Sequence, residues 1–327
     1  MTRTVLLTDE VFGGVESERA ALTAIGYELR EAPATDEDTL AALASGVEGM
    51  LVCYAPVGGR VIEAAARGGC RVIARYGVGV DNIDVEAATR AGILVTYVPD
   101  YCLDEVADHT LTLLLAASRQ LLPAALDVRS GGWGVPKEGV HRLQGQRLVL
   151  IGVGRIGRKV AERAMAFGFE VFAYDPYVED LGMSGLQRVD TLDEAVAEAD
   201  ILSLHAPMTP ESRHLIGEEA IAVMRRRPLV VNTSRGGLLD LDAATRGLED
   251  GRIAGLALDV TEVEPLPVGH PLRTHPRALI TPHMSFYSAE AQDELQRRAV
   301  DEVVRALTGA PPRCPVNPEV LQEVGRR

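Results

Sequence analysis

A chain of 327 residues is too long for one ordinary hydrophobic core, and an apolar content of 46% provides enough core material for two domains. The 47 acidic residues against 33 basic ones give a net charge of −14, which argues against a nucleic-acid-binding surface. No apolar run approaches the roughly 20 residues that a membrane-spanning helix needs, so we expect no membrane partner.

The first hundred residues alternate between short apolar runs and helical patterns. The predicted strands are 4–8, 47–53 and 71–74, and the predicted helices are 15–25, 36–45 and 60–68. This alternation is typical of a parallel sheet covered by helices. We therefore predict a separate α/β unit at the start of the chain.

Two loops follow predicted strands of this first unit, at 54–59 and at 76–84. In open α/β sheets, ligands bind outside the carboxyl ends of the strands. Gly77 and Gly79 could expose backbone N–H groups that form an anion-binding nest. An ordinary turn, with Asp84 as the N-cap of the following helix, explains the same residues equally well. Spacing alone leaves both interpretations open.

A long helical pattern runs from Leu103 to Leu122, with apolar residues on more than one face. Such a helix is usually buried on several sides, either between domains or between subunits. A glycine-rich loop that contains the only tryptophan follows at 131–134. We place the first crossing between the two domains at 99–105, around the start of this helix.

An apolar run from Leu148 to Ile151 leads into three glycines with G-x-G-x-x-G spacing, and an amphipathic stretch follows. The glycines are Gly152, Gly154 and Gly157. In a strand–turn–helix context they allow a tight turn, a close approach of the backbone to a pyrophosphate, and close packing of helix on strand. Asp175 ends the next apolar run, where a carboxylate can accept hydrogen bonds from the hydroxyl groups of an adenosine ribose. A glycine turn without a ligand is the alternative, and the acid that follows argues against it.

Six predicted strands form the second unit, a number that suits a doubly wound dinucleotide-binding sheet. They are 147–151, 170–174, 200–204, 229–232, 255–258 and 278–281. The polar residues that follow the last four strands are His205, Thr233, Ser234, Arg235, Asp259 and His283. A final helix at 288–307 would return the chain to the first unit.

Arg235 lies in the loop after a buried strand, on the nucleotide side of the predicted sheet. A guanidinium there can bind a carboxylate with two hydrogen bonds and polarise an adjacent carbonyl group. The alternative is a surface arginine at a turn, which is less consistent with a position at this edge of the sheet.

His283 follows the last predicted strand, and Glu264 follows the strand before it. A neighbouring carboxylate stabilises a protonated imidazole, which can then exchange a proton with a ketone oxygen near neutral pH. Asp259 and Glu262 are close in sequence and compete with Glu264 for this role. A structural histidine and a solvated acid are the alternatives at these positions.

The seven histidines of the chain include three in one stretch, His270, His275 and His283. Their spacing matches no helical or zinc-knuckle metal site. We therefore expect no metal ion in the site.

Four cysteines are scattered along the chain without C-x-x-C spacing. They are Cys53, Cys70, Cys102 and Cys314. We expect reduced cysteines, because a scattered set is typical of proteins in a reducing compartment. The first seven residues, Met-Thr-Arg-Thr-Val-Leu-Leu, have the pattern of a short strand rather than of a signal peptide. The sequence therefore predicts a cytoplasmic protein.

Several motifs occur in an order that resembles the D-isomer-specific 2-hydroxyacid dehydrogenases over nearly the whole chain. They are 77–84 (Gly-Val-Gly-Val-Asp-Asn-Ile-Asp), the glycine fingerprint, 204–209 (Leu-His-Ala-Pro-Met-Thr), 232–236 (Asn-Thr-Ser-Arg-Gly), 257–260 (Ala-Leu-Asp-Val), 264–265 (Glu-Pro) and 281–283 (Thr-Pro-His). The family includes phosphoglycerate dehydrogenase, glyoxylate/hydroxypyruvate reductase and D-lactate dehydrogenase. Several motifs in one family's order are far more specific than any one of them.

The resemblance implies an α/β fold of two Rossmann-like domains with parallel sheets and an active-site cleft between them. A flavodoxin-like domain, 1–99 plus 286–327, would bind the substrate, and a dinucleotide-binding domain, 100–285, would bind NAD. The implied activity is that of an NAD-dependent oxidoreductase, which transfers hydride between NAD(H) and the 2-carbon of a small 2-hydroxy or 2-oxo acid. The implied assembly is a homodimer.

The resemblance also assigns roles to single residues, and it implies Arg235, Glu264 and His283 as the catalytic residues. The implied NAD-binding residues are Gly152, Gly154, Arg155, Ile156, Gly157, Asp175, His205, Ala206, Thr233, Ser234, Arg235, Asp259 and His283. The implied substrate-binding residues are Tyr54, Val78, Gly79, Arg235, His283 and Phe286, with the backbone of Val78 and Gly79 at the substrate carboxylate. Asp175 has no arginine just after it, which favours NAD over NADP, because a 2′-phosphate would meet a negative charge.

Within the family, 81–84 and 283–288 look most like the C-terminal binding protein branch, which typically has a tryptophan where Phe286 stands here. That branch includes transcriptional corepressors, so an NAD(H)-sensing protein-interaction module is the alternative to an enzyme. The residues implied as an apolar lining of the substrate pocket are Phe286, Tyr287, Tyr54 and Tyr101. No cluster of basic residues is obvious near the proposed site in the sequence, which disfavours a phosphorylated substrate.

Overall fold

The computed structural model describes residues 3–136 and 139–324. The chain divides into two compact units, Met1–Tyr101 with Ser288–Arg327, and Cys102–Tyr287. The first unit thus consists of two chain segments, and the second is continuous. The outermost residues of the predicted substrate-binding domain, 1–2 and 325–327, lie outside the described residues.

Strands and helices alternate in the amino-terminal segment of the first unit. The strands are β1 (Arg3–Leu7), β2 (Tyr27–Glu31), β3 (Gly49–Val52), β4 (Val72–Arg75) and β5 (Leu94–Thr96). The helices are α1 (Glu16–Thr23), α2 (Glu37–Ala44), α3 (Gly59–Gly68) and α4 (Val85–Arg90). The strands form one parallel sheet in the order β2-β1-β3-β4-β5, which is the flavodoxin-like order.

The sequence-based prediction of three strands in this segment was wrong by two, because it missed both edge strands. β2 alternates buried and exposed residues, with Glu28 and Arg30 exposed, so it has no continuous apolar run. β5 is buried but only three residues long. One core of the unit packs the sheet against α2, α3 and α4, with Leu6, Met50 and Ile73 fully buried. Burying a side chain of this size contributes about 1.5–3 kcal/mol.

The second unit begins with two helices, α5 (Leu103–Ser118) and α6 (Leu121–Arg129). Its strands are β6 (Arg147–Ile151), β7 (Glu170–Tyr174), β8 (Leu186–Arg188), β9 (Ile201–Leu204), β10 (Leu229–Asn232), β11 (Gly255–Leu258) and β12 (Ala278–Ile280). Its other helices are α7 (Arg155–Ala166), α8 (Leu192–Ala197), α9 (Glu218–Ala222) and α10 (Leu241–Glu249). The strands form one parallel sheet in the order β12-β11-β10-β9-β6-β7-β8.

The prediction of six strands in this sheet was one short, because the edge strand β8 has only three residues and two of them are exposed. The central strand β6 has an apolar run because its residues pack into cores on both faces of the sheet. Val149 and Ile151 belong to the core on one face of the sheet, and Leu148 and Leu150 belong to the core on the other face. Both faces of the sheet are covered at β6, so its odd-numbered and even-numbered residues are buried alike.

The predicted single helix from Leu103 to Leu122 is interrupted at Gln120, which has φ +49°. Pro123 explains the break, because its ring would clash with a carbonyl oxygen inside a continuous helix but is tolerated in the first turn of α6. The two helices meet at a bend of 62°. Among the described residues, no single helix is long and apolar enough to cross a membrane, and only this bent pair passes the same length and composition test.

The carboxyl-terminal segment adds α11 (Ala289–Thr308) and α12 (Glu319–Val324) to the first unit. Ser288 is the N-cap of α11, since its side chain accepts a 2.9 Å hydrogen bond from the amide of Ala291. Leu295, Ala299 and Val303 are buried on the face of α11 that packs in this unit.

Each sheet has a switch point, where the order of the strands along the sheet reverses. In the first sheet it lies between β1 and β3, and in the second it lies between β6 and β9. Ligands of open α/β sheets bind beyond the carboxyl ends of the strands at such points. The loops that follow these four strands are therefore the places to look for functional residues.

Candidate active site

The three glycines of the turn between β6 and α7 differ in how much space surrounds them. Gly152 has φ +96°, and a Cβ atom there would lie 2.8 Å from the backbone of His205 and Ala206. A Cβ atom on Gly157 would lie 2.6 Å from the carbonyl oxygen of Gly152. At Gly154, the N-cap of α7, a Cβ atom would have nothing within 4 Å. The fold requires the outer two glycines, whereas the middle one leaves open space at a helix N-terminus, which suits a pyrophosphate.

The Asp175 carboxylate at the end of β7 lies beside this turn. One oxygen accepts a 2.9 Å hydrogen bond from the amide of Val153, and the other accepts a 3.0 Å bond from the amide of Tyr177. Each carboxylate oxygen can accept a second hydrogen bond, so the half-buried group can still bind ribose hydroxyls. Arg155 and Ile156 begin α7 directly after the turn. These residues fit the adenosine and pyrophosphate portions of NAD.

His205 and Ala206 follow β9, the strand next to β6. The Nε2 atom of His205 lies 2.9 Å from Oγ of Ser203, and burial lowers the pKa of His205 to about 4. The ring is therefore neutral at neutral pH. Ser234 donates a 2.8 Å hydrogen bond to the carbonyl oxygen of Ala206, which joins the loop after β9 to the loop after β10.

Arg235 lies in the loop after β10, which the buried side chain of Asn232 holds in shape. Nδ2 of Asn232 donates a 2.9 Å hydrogen bond to the carbonyl oxygen of Arg235, and its Oδ1 accepts a 3.0 Å bond from the amide of Ser234. The Oγ1 atoms of Thr233 and Thr110 are 2.7 Å apart, which ties the loop to α5. The half-buried Arg235 side chain is thus presented from an ordered backbone.

His283 and Glu264 form a direct pair beyond the ends of β12 and β11. Nδ1 of His283 lies 2.7 Å from Oε2 of Glu264, and the two side chains are 27% and 37% exposed. The other oxygen of Glu264 accepts a 3.0 Å hydrogen bond from the amide of Thr261, which helps to aim the carboxylate at the ring. Glu262 bonds to other side chains. The geometry therefore selects Glu264 among the acids that compete for His283.

Asp259 anchors the loop that carries His283. Its carboxylate accepts hydrogen bonds from Oγ1 of Thr281 at 2.5 Å and from the amides of Met284 and Ser285 at 3.0 and 2.8 Å. The amide of His283 itself donates a 2.8 Å bond to the carbonyl oxygen of Asp259. These bonds hold His283 at φ +51°, a left-handed conformation that few residues other than glycine adopt.

The charge of Asp259 is stabilised although its side chain is 0% exposed. Burial by itself would raise the pKa of this carboxyl group. Hydrogen bonds from His109, Thr281 and the two loop amides outweigh that effect and hold the pKa well below its usual range. Sequence reasoning placed Asp259 at NAD and missed this anchoring contact. A buried acid at a strand end was the only signal for it.

In the first unit, Asp9 follows β1 and holds the loop after β3, across the switch point of that sheet. Its carboxylate accepts hydrogen bonds from the amides of Cys53, Tyr54 and Ala55 at 3.0, 2.5 and 3.1 Å. Asn82 donates to the carbonyl oxygens of Cys53 and Ala55 at 3.1 and 2.9 Å. Tyr54, which is 42% exposed, thus lies on an ordered loop.

Val78 and Gly79 lie in the loop after β4. Gly77 precedes them with φ +138°, and Val78 is 38% exposed. Asp84 is the N-cap of α4, as its side chain accepts a 2.9 Å hydrogen bond from the amide of Ala87. The structure therefore shows the helix cap, whereas the anion-binding nest stays a prediction.

Residues 111–285 match the family model described as D-isomer specific 2-hydroxyacid dehydrogenase, NAD binding domain. This range is more than half of the chain, and it contains the glycine turn, Asp175 and the pair of His283 and Glu264. The chain belongs to the D-isomer-specific 2-hydroxyacid dehydrogenase family.

Individual relatives agree with this placement of the dehydrogenase. The D-3-phosphoglycerate dehydrogenase of Methanocaldococcus jannaschii is 41% identical over 266 residues, which are 80% of this chain and 50% of that protein, so this chain spans about half of its length. A glyoxylate reductase of Thermofilum pendens is 32% identical over 316 residues, 94% of this chain and 92% of that protein. The solved structure of Aquifex aeolicus D-lactate dehydrogenase complexed with NAD and lactic acid has a TM-score of 0.84 at 27% identity, and the match covers 98% of each chain.

The predicted class, fold and cofactor of the dehydrogenase are therefore confirmed. It is an NAD-dependent oxidoreductase of the 2-hydroxyacid dehydrogenase family, built from α/β units whose two sheets contain only parallel strand pairs. The roles of single residues stay predictions, because the similarities speak for the family as a whole.

Arg75 of the dehydrogenase is a further candidate that sequence reasoning missed. It ends β4, directly before the loop that contains Gly77 and Gly79, and its Nε atom is buried without a hydrogen-bond partner. Its Nη1 atom contacts the carbonyl oxygen of Tyr76, and a Cβ atom on Gly77 would collide with it. A guanidinium with an unused donor adds positive charge next to Val78. Its position at a strand end was the only signal in the sequence.

The four aromatic residues implied as a pocket lining are divided between the two units. Tyr54 and Tyr101 belong to the first unit, and Phe286 and Tyr287 belong to the second. Tyr101 is 9% exposed, Phe286 is half-buried and Tyr287 is 55% exposed. A pocket formed by all four stays a prediction.

The histidines near the end of the second unit have separate local partners. Nδ1 of His270 accepts a 3.3 Å hydrogen bond from the amide of Leu272, and Nδ1 of His275 accepts a 3.1 Å bond from the amide of Arg277. Within 3–136 and 139–324, no group of three or more His, Cys, Asp or Glu side chains could hold a metal ion.

Proposed function

We propose that the protein reduces a small 2-oxo acid to the D-2-hydroxy acid with NADH, or catalyses the reverse reaction. Family membership supports the reaction class, and the names of the similar reductase and dehydrogenases support the substrate class. The observation that carries the proposal is the 2.7 Å pair of His283 and Glu264. A histidine with a carboxylate partner is suited to move a proton to and from an oxygen near neutral pH.

Each of the three proposed catalytic residues has its own role in this reaction, and they are Arg235, Glu264 and His283. NADH, when bound, supplies the hydride for the 2-carbon of the oxo acid. Arg235 binds the substrate carboxylate and polarises the ketone. His283 donates its proton from Nε2, because Nδ1 of the same ring faces Glu264. Glu264 stabilises the protonated ring until the transfer occurs.

We propose that the cofactor binds at the switch point of the second sheet. The glycine turn takes the pyrophosphate, and Asp175 takes the ribose hydroxyls and rejects a 2′-phosphate. The other residues assigned to NAD lie at the start of α7 or on the loops that follow β9, β10, β11 and β12, and they are Arg155, Ile156, His205, Ala206, Thr233, Ser234, Arg235, Asp259 and His283.

We assign the first unit to the substrate. Its sheet has a switch point of its own, and Asp9 and Asn82 order the loop there. The backbone of Val78 and Gly79 is proposed to bind the substrate carboxylate, with Arg75 adding positive charge at the end of β4.

An NAD(H)-sensing module of the C-terminal binding protein type is the competing function. The relatives described above are named for dehydrogenase or reductase activity, which favours the enzyme. A protein that binds NADH tightly but oxidises it with no 2-oxo acid would be a sensor instead.

We further propose a cytoplasmic homodimer that pairs through α6 and the loop after it. No residue of α6 is buried within this chain, and Leu121, Leu126 and Val128 are 61%, 51% and 50% exposed. Trp133 in the following loop is 88% exposed. Apolar surface of this extent usually marks an interface, and sedimentation measurements would show whether a second copy covers it. Cys53 and Cys70 are buried free cysteines, which fits a reducing compartment.

The proposed function is tested by following NADH absorbance with a panel of acids. The panel contains glyoxylate, hydroxypyruvate, pyruvate, longer 2-oxo acids and phosphohydroxypyruvate. At least one acid is expected to turn over. His283→Ala and Arg235→Lys are expected to lower turnover by about 100-fold or more, because they remove the proton donor and the bidentate contact, while NADH still binds.

His275→Ala is the matched control, since it removes another partly buried histidine from the same unit and is expected to keep the turnover of the wild type. Unchanged turnover in both His283→Ala and Arg235→Lys would overturn the residue assignments. Tight NADH binding without oxidation by any acid would overturn the proposal that the protein is an enzyme.

A further inference from the structure

A second glutamate–histidine pair joins the loop that carries Glu264 to the loop after β9. Oε1 of Glu262 lies 2.8 Å from Nε2 of His214, and the guanidinium of Arg213 binds the same oxygen. On the other side of the ring, Nδ1 of His214 lies 3.9 Å from a carboxylate oxygen of Asp240. The proposed mechanism uses none of these groups. The side chains of Arg213, His214 and Glu262 are referred to below as the loop clamp.

The backbone beside the loop clamp is joined to the loop that carries Arg235. The amide of His214 donates a 2.7 Å hydrogen bond to the carbonyl oxygen of Gly237, and the amide of Ile216 donates a 3.0 Å bond to that of Leu238. The loop after β9 therefore runs along the continuation of the Arg235 loop.

The Arg235 loop in turn packs on the loop that carries Glu264. A Cβ atom on Gly236 would collide with the backbone of Thr261 and Glu262, so only glycine permits this approach. The side chain of Glu262 then reaches across to the loop after β9, which completes a contact among three loops.

The backbone of His214 in the loop clamp has an unusual conformation that its contacts maintain. Its φ of +52° lies in the left-handed region, which residues other than glycine rarely adopt. Such a conformation persists only where the surrounding contacts enforce it. The backbone bond to Gly237 and the side-chain bond to Glu262 are those contacts.

We propose that the loop clamp positions Arg235 and Glu264 for catalysis, with Glu262 as its central residue. The inference rests on the function proposed above. The cationic Arg213 and the His214 ring hold Glu262 on one side of its loop. Two residues further on, Glu264 bonds to the amide of Thr261 and faces His283. Without the clamp the loop is free to shift, and both the Arg235 and the Glu264 contacts lose their alignment.

Glu262→Gln tests the inference, because it keeps the size of the side chain and removes its charge. We expect kcat with the best acid of the panel to fall by about tenfold or more, since small misplacements of reacting groups are costly. The KM for NADH is expected to stay within about twofold. Because kcat is expressed per NADH-binding site, a loss of folded protein alone would not lower it.

Arg213→Gln and the double variant with Glu262→Gln complete a double-mutant cycle. If the two residues act through their contact, the double variant is expected to be about as slow as Glu262→Gln alone. Multiplied effects would show that they act independently and would overturn the clamp. Should Glu262→Gln not fold, His214→Gln removes the ring that contacts Glu262 and is expected to give the same fall in kcat.

Glu218→Gln is the matched control, because it breaks an ion pair with Arg246 between side chains that are 73% and 55% exposed on the same unit. It is expected to leave kcat unchanged. An unchanged kcat in a folded Glu262→Gln protein would overturn the inference. If His283→Ala is inactive in that case, the proposed function still stands, whereas full activity of His283→Ala would overturn that function itself.

Discussion

Asp9 in the first unit and Asp259 in the second both follow a buried strand, and both accept hydrogen bonds from backbone amides of a strand-end loop. Asp9 binds the amides of Cys53, Tyr54 and Ala55, and Asp259 binds those of Met284 and Ser285 together with the hydroxyl of Thr281. Asp9 is half-buried, whereas the side chain of Asp259 is 0% exposed.

The difference lies in what each ordered loop carries. The loop held by Asp9 carries Tyr54, a side chain suited to binding, and the loop held by Asp259 carries His283, which is already paired with Glu264. The same contact between an acid and backbone amides thus orders the proposed binding surface in one unit and the proposed reacting group in the other. Changing the two acids should therefore separate effects on KM from effects on kcat.

Asp259→Asn is expected to have the largest effect. An asparagine side chain has N–H donors where the carboxylate now accepts from two amides and a hydroxyl, so at least one contact becomes unfavourable. We expect kcat to fall by about 100-fold and the free energy of unfolding to fall by about 3 kcal/mol. Steady-state kinetics and thermal melting measure the two quantities. A kcat within twofold of the wild type would refute an anchoring role for Asp259.

Asp9→Asn is expected to have a smaller effect of a different kind. The loop around Tyr54 loses its acceptor, so the KM for the 2-oxo acid should rise by about tenfold, while kcat and the KM for NADH stay close to the wild type. Kinetics with each substrate varied in turn would show this. A fall in kcat with an unchanged KM for the acid would remove the distinction between the two units.

Glu48→Gln provides the smallest expected effect and tests the other end of the first sheet. Glu48 lies just before β3, and its carboxylate binds Arg3 at 3.0 Å, Arg71 at 3.0 Å and the hydroxyl of Tyr27 at 2.8 Å. The hydrogen bond from Arg3 is the main cause that lowers the pKa of Glu48 to about 2. A lowered pKa stabilises the fold above the usual carboxyl range, and this contribution is lost as the pH falls from about 4.5 to about 2.

We therefore expect Glu48→Gln to cost about 1 kcal/mol at pH 7, given that solvent screens the partly exposed group. The difference from the wild type should vanish near pH 2, and the KM for the 2-oxo acid should not change. Chemical denaturation across this pH range measures the stability. A changed KM would show that the two ends of the sheet are not independent.

The sequence was most informative where a functional motif also sets the conformation of the local backbone. The G-x-G-x-x-G spacing predicted the turn around Gly152, because the packing at Gly152 and Gly157 leaves no room for a side chain. It could not choose among Asp259, Glu262 and Glu264, which lie within one short segment. That choice depends on contacts with Thr261, His283 and other loops that are distant in sequence.

Edge elements and helix breaks were the least predictable features. β2 and β8 each contain exposed residues, so neither has the continuous apolar run of a central strand. The break at Gln120 needs a left-handed residue where the chain has no glycine, and Pro123 gives only an indirect sign of it. Arg75 directly precedes Tyr76 and Gly77 in the sequence, but the contact between its guanidinium and the carbonyl oxygen of Tyr76 becomes visible only in the structure.

The two hydrogen bonds that hold Asp175 have a consequence for its proposed contact with the cofactor. Because the amides of Val153 and Tyr177 already hold both oxygens, folding rather than binding bears the entropic cost of ordering this group. The same tethering prevents the carboxylate from swinging aside to admit a phosphate. A preference for NAD that rests on such a rigid acid should persist even when NADP is present in large excess.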